Sequence, residues 1–291
     1  MSKIHTLASY IPLWIQVTRL DRPIGWMVIL WPTWIALTLA GFTANEFKLD
    51  TWVIFTLGVI ITRSAGCVIN DLTDRKFDKH VKRTQARPIT TGNLSTKNAL
   101  AVAIILLVTA FFLVLQTNQQ TIYLSFIALG LAIVYPWLKR VTFWPQVGLG
   151  LAFSMAIPMS FTAYEQPTDR IVWALFLGNF AWTLAYDTLY AMVDRDDDLL
   201  IGVKSTAIVF GRYDLLAIGC CQLIAIASFG HAFWLAKLNP LSLLGIFAAF
   251  GLVLRQHAIA RSRSREACFK AFLRSHRFGA ALFLGGLLGV L

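Results

Sequence analysis

Apolar windows long enough to cross a bilayer follow one another along the whole of this 291-residue chain. A helix spanning a hydrocarbon core of roughly 30 Å needs about 20 predominantly apolar residues. Such windows lie near 24–41, 51–69, 99–115, 121–138, 146–163, 171–189, 214–236, 241–258 and 272–291. In lipid the backbone has to satisfy its own polar groups, which runs of this length do as helices. Hydrophobic residues make up 57% of the chain and charged ones only 14%, too apolar for a soluble domain of this size. The sequence therefore predicts an all-α integral membrane protein, with nine spans forming a single domain over residues 1–291.

The cations give this reading a direction. Short loops rich in Lys and Arg stay on the cytoplasmic side. With the N-terminus cytoplasmic, all of the 26 Lys and Arg except Lys48, Arg63, Arg170 and Lys237 fall in inside segments. Adding or removing one central helix would scramble that asymmetry. The net charge of +11 then expresses topology and attraction to anionic lipid, and calls for no nucleic acid. A multi-pass protein of the bacterial inner membrane is the simplest expectation. The first ten residues lack a cleavable signal's apolar stretch and cleavage site. Residues 8–20 are expected along the interface, with Trp14 at headgroup level. Cys67, Cys220, Cys221 and Cys268 have no metal-ligand spacing and read as small apolar fillers. The five histidines form no ligand pattern, and "GGLLG" at 285–289 reads as close helix packing.

Two acidic clusters do not fit a purely structural membrane protein. Positions i, i+3, i+4 and i+7 share a helix face, so Asn70, Asp71, Asp74 and Asp78 line one stripe at the end of the second span, with Cys67 and Arg63 deeper on it. "YDTLYAMVDRDDD" repeats the step at Asp187, Tyr190 and Asp194, and adds Asp198. Four spans separate the clusters, which puts both at the mouths of inside loops 70–98 and 190–213. Clustered carboxylates repel one another and take up protons unless a cation neutralises them. Mg²⁺ takes oxygen ligands and is typically bound by one or two carboxylates plus substrate phosphates. Two such stripes face to face suit Mg²⁺ ions bridged by a diphosphate; solvated charges capping helix ends are the bland alternative.

The neighbouring cations fit an anionic ligand. Arg75, Lys79, Lys82, Arg83 and Arg87 follow the first stripe, Lys139 and Arg140 follow the fourth span, and two or three of the seven are expected as ligands beyond their topological role. Lys139 and Arg140, confined in the short "YPWLKRVTFWP", are the stronger candidates. Arg63 lies too deep to be an orientation signal and needs an acceptor, which is Asp71, Asp187 or a substrate carboxylate. A carrier or channel is the main non-enzyme alternative, but it predicts charges through the whole membrane depth. A CDP-alcohol phosphotransferase would show a Gly-containing DG pattern that is absent here.

"NDLTDRKFD" resembles the NDxxDxxxD motif of the UbiA superfamily of intramembrane prenyltransferases, and "DTLYAMVDRDDD" resembles its second, DxxxD-containing motif. The resemblance extends through "TRLDRPIGWMVILWPTWIAL", "YPWLKR", "PQVGLG" and "REACFKAF". It implies nine transmembrane helices around a central cavity, with both motifs facing the cytoplasm. It also implies Mg²⁺-dependent transfer of a polyprenyl group from polyprenyl diphosphate to an aromatic ring, and these segments are most similar to the branch acting on 4-hydroxybenzoate in ubiquinone biosynthesis. By motif, Asn70, Asp71, Asp74, Asp78, Asp194 and Asp198 would hold Mg²⁺ and diphosphate, with Asp71, Asp74, Asp194 and Asp198 as the catalytic carboxylates. Asp187 and Tyr190 would shape the aromatic site. Arg63 matches a family arginine for the aromatic acid's carboxylate, and Lys139 matches a diphosphate-contacting lysine. A family member acting on another aromatic acceptor is the nearer alternative.

Overall fold

The computed structural model describes residues 12–291, so Lys3, His5 and the start of the 8–20 segment lie outside the described residues. Every element among the described residues is helical. A short α1 (Leu13–Thr18) leads into α2 (Ile24–Ala44), α3 (Leu49–Asp78) and the one-turn α4 (Pro88–Thr91). Next come α5 (Thr96–Val114), α6 (Gln119–Val141), α7 (Pro145–Ser154), α8 (Ala156–Ala163) and α9 (Arg170–Ile201). The chain ends with α10 (Thr206–Phe210), α11 (Asp214–Leu235), α12 (Ser242–Ala260), α13 (Arg265–Leu273) and α14 (His276–Val290).

Seven segments among the described residues are long and apolar enough to cross a membrane: α2, α3, α5, α6, α7 with α8, α10 with α11, and α12. The other two expected spans fall on α9 and α14. Helix α9 has ample length at 32 residues, but its apolar stretch is interrupted by Asn179, Thr183 and Asp187, all buried inside the protein. Helix α14 has 15 residues, about 22 Å at 1.5 Å per residue. It is shorter than the expected 272–291 because a turn at Arg274 and Ser275 divides that stretch between α13 and α14.

The two motif helices are the long ones. Helix α3 has 30 residues and α9 has 32, giving lengths of about 45 and 48 Å, so each outruns the hydrocarbon core by several turns. The acidic residues expected at the mouths of loops therefore sit on continuous helix, which preserves their facial spacing. Asp169 starts α9 by accepting from the backbone N–H groups of Ile171 and Val172, and Gly202 ends it at φ 73°, the left-handed conformation glycine adopts most easily.

Helix α9 runs through the centre, packed against α7, α11 and α13, while α2 lies between α14 and α8. Trp182, Phe161, Phe229 and Ile35 are among the largest fully buried side chains. Pro158 cannot donate to the Ser154 carbonyl, and the helix breaks at Met155 into α7 and α8. The "GGLLG" expectation holds: a Cβ on Gly245 of α12 would stand 2.6 Å from the Gly285 Cα, so the two backbones nearly touch. Gln222, Gln256 and His257 link α11 to α12, and Gln256 donates on to the Ala271 carbonyl and Ser275 Oγ; His257 is thus a core histidine. Cys67 and Cys268 are buried fillers as expected, whereas Cys220 is exposed. Helix α5 packs along α3 and α6 along α7 and α8, and α5 and α6 touch each other only slightly.

Candidate active site

Between these helices lies a cavity of about 510 Å³, and all eleven residues singled out in the two stripes, the α6 end and Arg63 line it. The helical spacing is the reason: α3 turns Asn70, Asp71, Asp74 and Asp78 inward, and α9 turns Asp187, Tyr190, Asp194 and Asp198 toward them. Asp71 is 1% exposed. Buried carboxylates of this kind need partners, and basic residues from three parts of the chain supply them.

Asp71 is held by Arg19 at 2.7 Å and by Arg87 at 2.8 Å. The same Arg87 Nη1 reaches Asp78 at 2.8 Å, so one guanidinium bridges two members of the first stripe. Lys139 Nζ lies 3.3 Å from Asp74 and donates to Asn70 Oδ1 at 3.5 Å. Across the cavity, Arg83 grips Asp194 with Nη2 at 2.5 Å and Nε at 3.1 Å to each carboxylate oxygen. Its guanidinium carbon lies 4.5 Å from the Tyr190 ring centroid, and Phe272 stacks on that ring at 4.3 Å. Arg140 is engaged differently: it donates to the Thr73 carbonyl at 2.9 Å and sits over the Phe77 and Trp137 rings, with Asp74 3.9 Å away. Its main contacts clamp α6 to α3.

Asp187 and Asp198 line the same cavity, and among the described residues neither side chain has an ion pair. At the projecting end of α9, burial foremost and then the neighbouring Asp194 charge push the Asp198 carboxyl up to about 7. A cation brought to that position would lower it again. Among the described residues no three Asp, Glu, His or Cys side chains form a ready-made metal cage. The donors are instead hard carboxylate oxygens on two opposed helices with anion-binding cations between them, a set that fits Mg²⁺ shared with a substrate's phosphates.

Arg63 makes no ion pair among the described residues. Its Nε donates to the Gly25 carbonyl at 3.1 Å, and its guanidinium carbon lies 5.8 Å from the Phe153 ring centroid. A Cβ on Gly25 would stand 3.3 Å from Nε, so the glycine lets α2 come close. Away from the charged end, the lining turns apolar, with Leu107 and Phe111 of α5 and Phe126, Leu129 and Ile133 of α6.

Arg19 escaped sequence reasoning, and Arg83 and Arg87 were indistinguishable from Arg75, Lys79 and Lys82 beside them. Arg75 turns away to Thr96. Arg19 reaches Asp71 across 52 positions from a left-handed turn at φ 59°, which no local periodicity reveals. Tyr135, Gln146 and Tyr186 also line the cavity; their only signal was inclusion in or beside the family-like segments.

A multi-pass helical membrane protein whose inner chamber is charged at one end and apolar at the other belongs to the class that binds amphiphiles with an anionic head. The particular family is then shown by its model: the UbiA prenyltransferase family matches residues 29–284, and the chain belongs to it. A 4-hydroxybenzoate octaprenyltransferase of Pseudoalteromonas translucida is 50% identical over 280 residues, covering 95% of this chain and 94% of that protein. The one of Vibrio atlanticus is 47% identical over 279 residues, covering 96% and 98%. Among solved structures, a UbiA homologue from Aeropyrum pernix superposes with a TM-score of 0.80 at 21% identity, over 91% of this chain and 98% of that one. A homologue from Archaeoglobus fulgidus, bound to GPP and Mg²⁺, gives 0.71 at 19% identity, over 94% and 99%. At these identities the two structures share the fold.

Proposed function

We propose that this protein transfers a polyprenyl group from polyprenyl diphosphate to the ring of 4-hydroxybenzoate, ortho to its hydroxyl, releasing diphosphate in ubiquinone biosynthesis. The observation that carries the proposal is Arg63, which lines the chamber without an ion pair among the described residues, whereas Arg19, Arg83, Arg87 and Lys139 are each committed to an aspartate. An arginine without a carboxylate of its own suits a substrate that brings one. The curated relatives' shared activity supports the same acceptor.

Asp71, Asp74, Asp78, Asp194 and Asp198 would hold Mg²⁺ together with the substrate diphosphate, as their hard oxygens and opposed placement favour. Bound there, Mg²⁺ supplies neutralisation of the charge that grows on the leaving group. Asn70, Lys139, Arg83 and Arg87 hold the diphosphate oxygens, and Arg140 fixes the α6 end that carries Lys139. The allylic C–O bond breaks with its electron pair leaving on diphosphate. The ring carbon ortho to the hydroxyl adds to the allylic cation, and transfer of that carbon's proton to the released diphosphate restores aromaticity. Arg63 orients the ring by its carboxylate, while Asp187 accepts a hydrogen bond from the phenol and raises its nucleophilicity. Tyr190 closes the aromatic side of the site. The apolar walls exclude water that would trap the cation.

The full topology belongs to this reading: nine spans in a bacterial inner membrane, N-terminus and active site facing the cytoplasm. It is supported by the cation distribution, with α9 and α14 completing the seven apolar spans. Membranes containing the protein, given labelled 4-hydroxybenzoate, a prenyl diphosphate and Mg²⁺, are expected to form a lipid-soluble product that EDTA abolishes. No product with prenyl donors of any length would overturn the proposal.

A further inference from the structure

The run Asp194–Asp198 places five charged side chains on a single helical turn and a fraction, and the structure sends them in different directions. Asp194 and Asp198 line the cavity. Arg195 turns to Asp214 at 2.5 Å, and Asp196 is exposed. Asp197 is buried outside the cavity lining. Its Oδ2 accepts from the Lys82 backbone N–H at 3.1 Å and from Arg265 Nη1 at 2.8 Å.

That double acceptance joins three pieces of chain. Lys82 immediately precedes Arg83, so the Asp197 bond fixes the backbone from which Arg83 reaches Asp194 and Tyr190. Val81 and Asp78 are tied to the same turn through Thr84, whose Oγ1 donates to the Asp78 carbonyl at 3.0 Å. Arg265 opens α13, the helix whose Phe272 stacks on Tyr190. Asp197 stands three positions after Asp194, and what distinguishes it from the stripe is its partners: its carboxylate is spent on the Lys82 backbone and on Arg265 at the start of α13.

We infer that Asp197 is a positioning residue, which registers the 79–87 segment against α9 so that Arg83 is delivered to the diphosphate site, and that it takes no part in holding metal. The inference rests on the proposed prenyl transfer for its kinetic consequence, but its structural half stands independently. An aspartate here serves better than an apolar residue because it accepts a backbone N–H and a guanidinium at once. Asparagine keeps an acceptor oxygen for both; alanine keeps none.

The test uses full-length protein in detergent, comparing Asp197→Ala, Asp197→Asn and Arg265→Ala with the parent. Deuterium exchange of peptides covering 79–87 is expected to rise in Asp197→Ala and to stay near the parent level in Asp197→Asn. With geranyl diphosphate as donor, KM for the donor is expected to rise about tenfold or more in Asp197→Ala, as for loss of a charged hydrogen bond, with much smaller changes in kcat and in the Mg²⁺ concentration giving half activity. Arg265→Ala is expected to raise donor KM less, and non-additively with Asp197→Ala. Unchanged exchange in Asp197→Ala would overturn the tether whatever the enzyme does. A shifted Mg²⁺ requirement in both Asp197→Ala and Asp197→Asn would make Asp197 a metal ligand and overturn the inference. Absence of prenyl transfer in the parent itself would count against the activity, and the exchange measurement would still decide the tether.

Discussion

Within the chamber, each charged residue can be distinguished by what it already holds. Asp71, shared between Arg19 and Arg87, and Arg63, without an ion pair among the described residues, are opposite cases. Arg63→Ala is expected to raise KM for 4-hydroxybenzoate about tenfold or more while kcat falls less, because a charged hydrogen bond to the acceptor is lost in ground and transition states alike. Asp71→Ala is expected to lower kcat by about a hundredfold or more, since it removes a carboxylate that would hold the Mg²⁺ neutralising the leaving group. Steady-state kinetics with each substrate varied in turn separates the two. Both residues were legible from the sequence because a helix repeats its face every three to four residues. The arginines that pair with Asp71 were not: a long flexible side chain on a loop reports its sign and leaves its destination open, and positive loops carry many cations for topology alone.

Long helices, more than loops, build the site. Helices α3 and α9 continue several turns past their apolar stretches, so both stripes keep the geometry that their spacing implies. Their boundaries were misplaced in the sequence because charge ends a hydrophobic window without ending a helix. Similarly, α14 came out shorter than its apolar window, since Ser275 and the α13 turn are set by contacts with Gln256 that no window contains. The contact of α12 with α14 is the part most sensitive to added volume. Gly245→Val would place a Cβ against the backbone of Gly285 and the Ala281 carbonyl, neither of which can turn aside as a side chain would. It is expected to cost about 1–3 kcal/mol, in the range of core overpacking, and to lower the melting temperature measured in detergent. Donor and acceptor KM values should change little, because this contact does not line the chamber.

At the scale of the whole molecule, most of the buried carboxylates are balanced by the protein's own cations. Asp71, Asp74, Asp78 and Asp194 are matched by Arg19, Arg87, Lys139 and Arg83, and Asp214 beside the site is matched by Arg195 and Arg263. Folding therefore does not wait on a divalent ion, unlike the small domains that a metal holds together. EDTA is expected to abolish prenyl transfer while shifting the melting temperature by no more than about 2–4 °C, the equivalent of roughly 1 kcal/mol for a protein of this size or somewhat smaller. A larger shift would show that the ion carries folding energy. The weak contact between α5 and α6 bears on a different property. A chamber of about 510 Å³ falls in the range that encloses a drug-sized molecule, enough for the diphosphate and the nearest isoprene units of a long donor. The remaining tail would pass between two helices that scarcely meet and trail among the acyl chains. On that path the enzyme would have no ruler for its donor, and the length of the quinone's side chain would be decided upstream, by whichever synthase stocks the membrane.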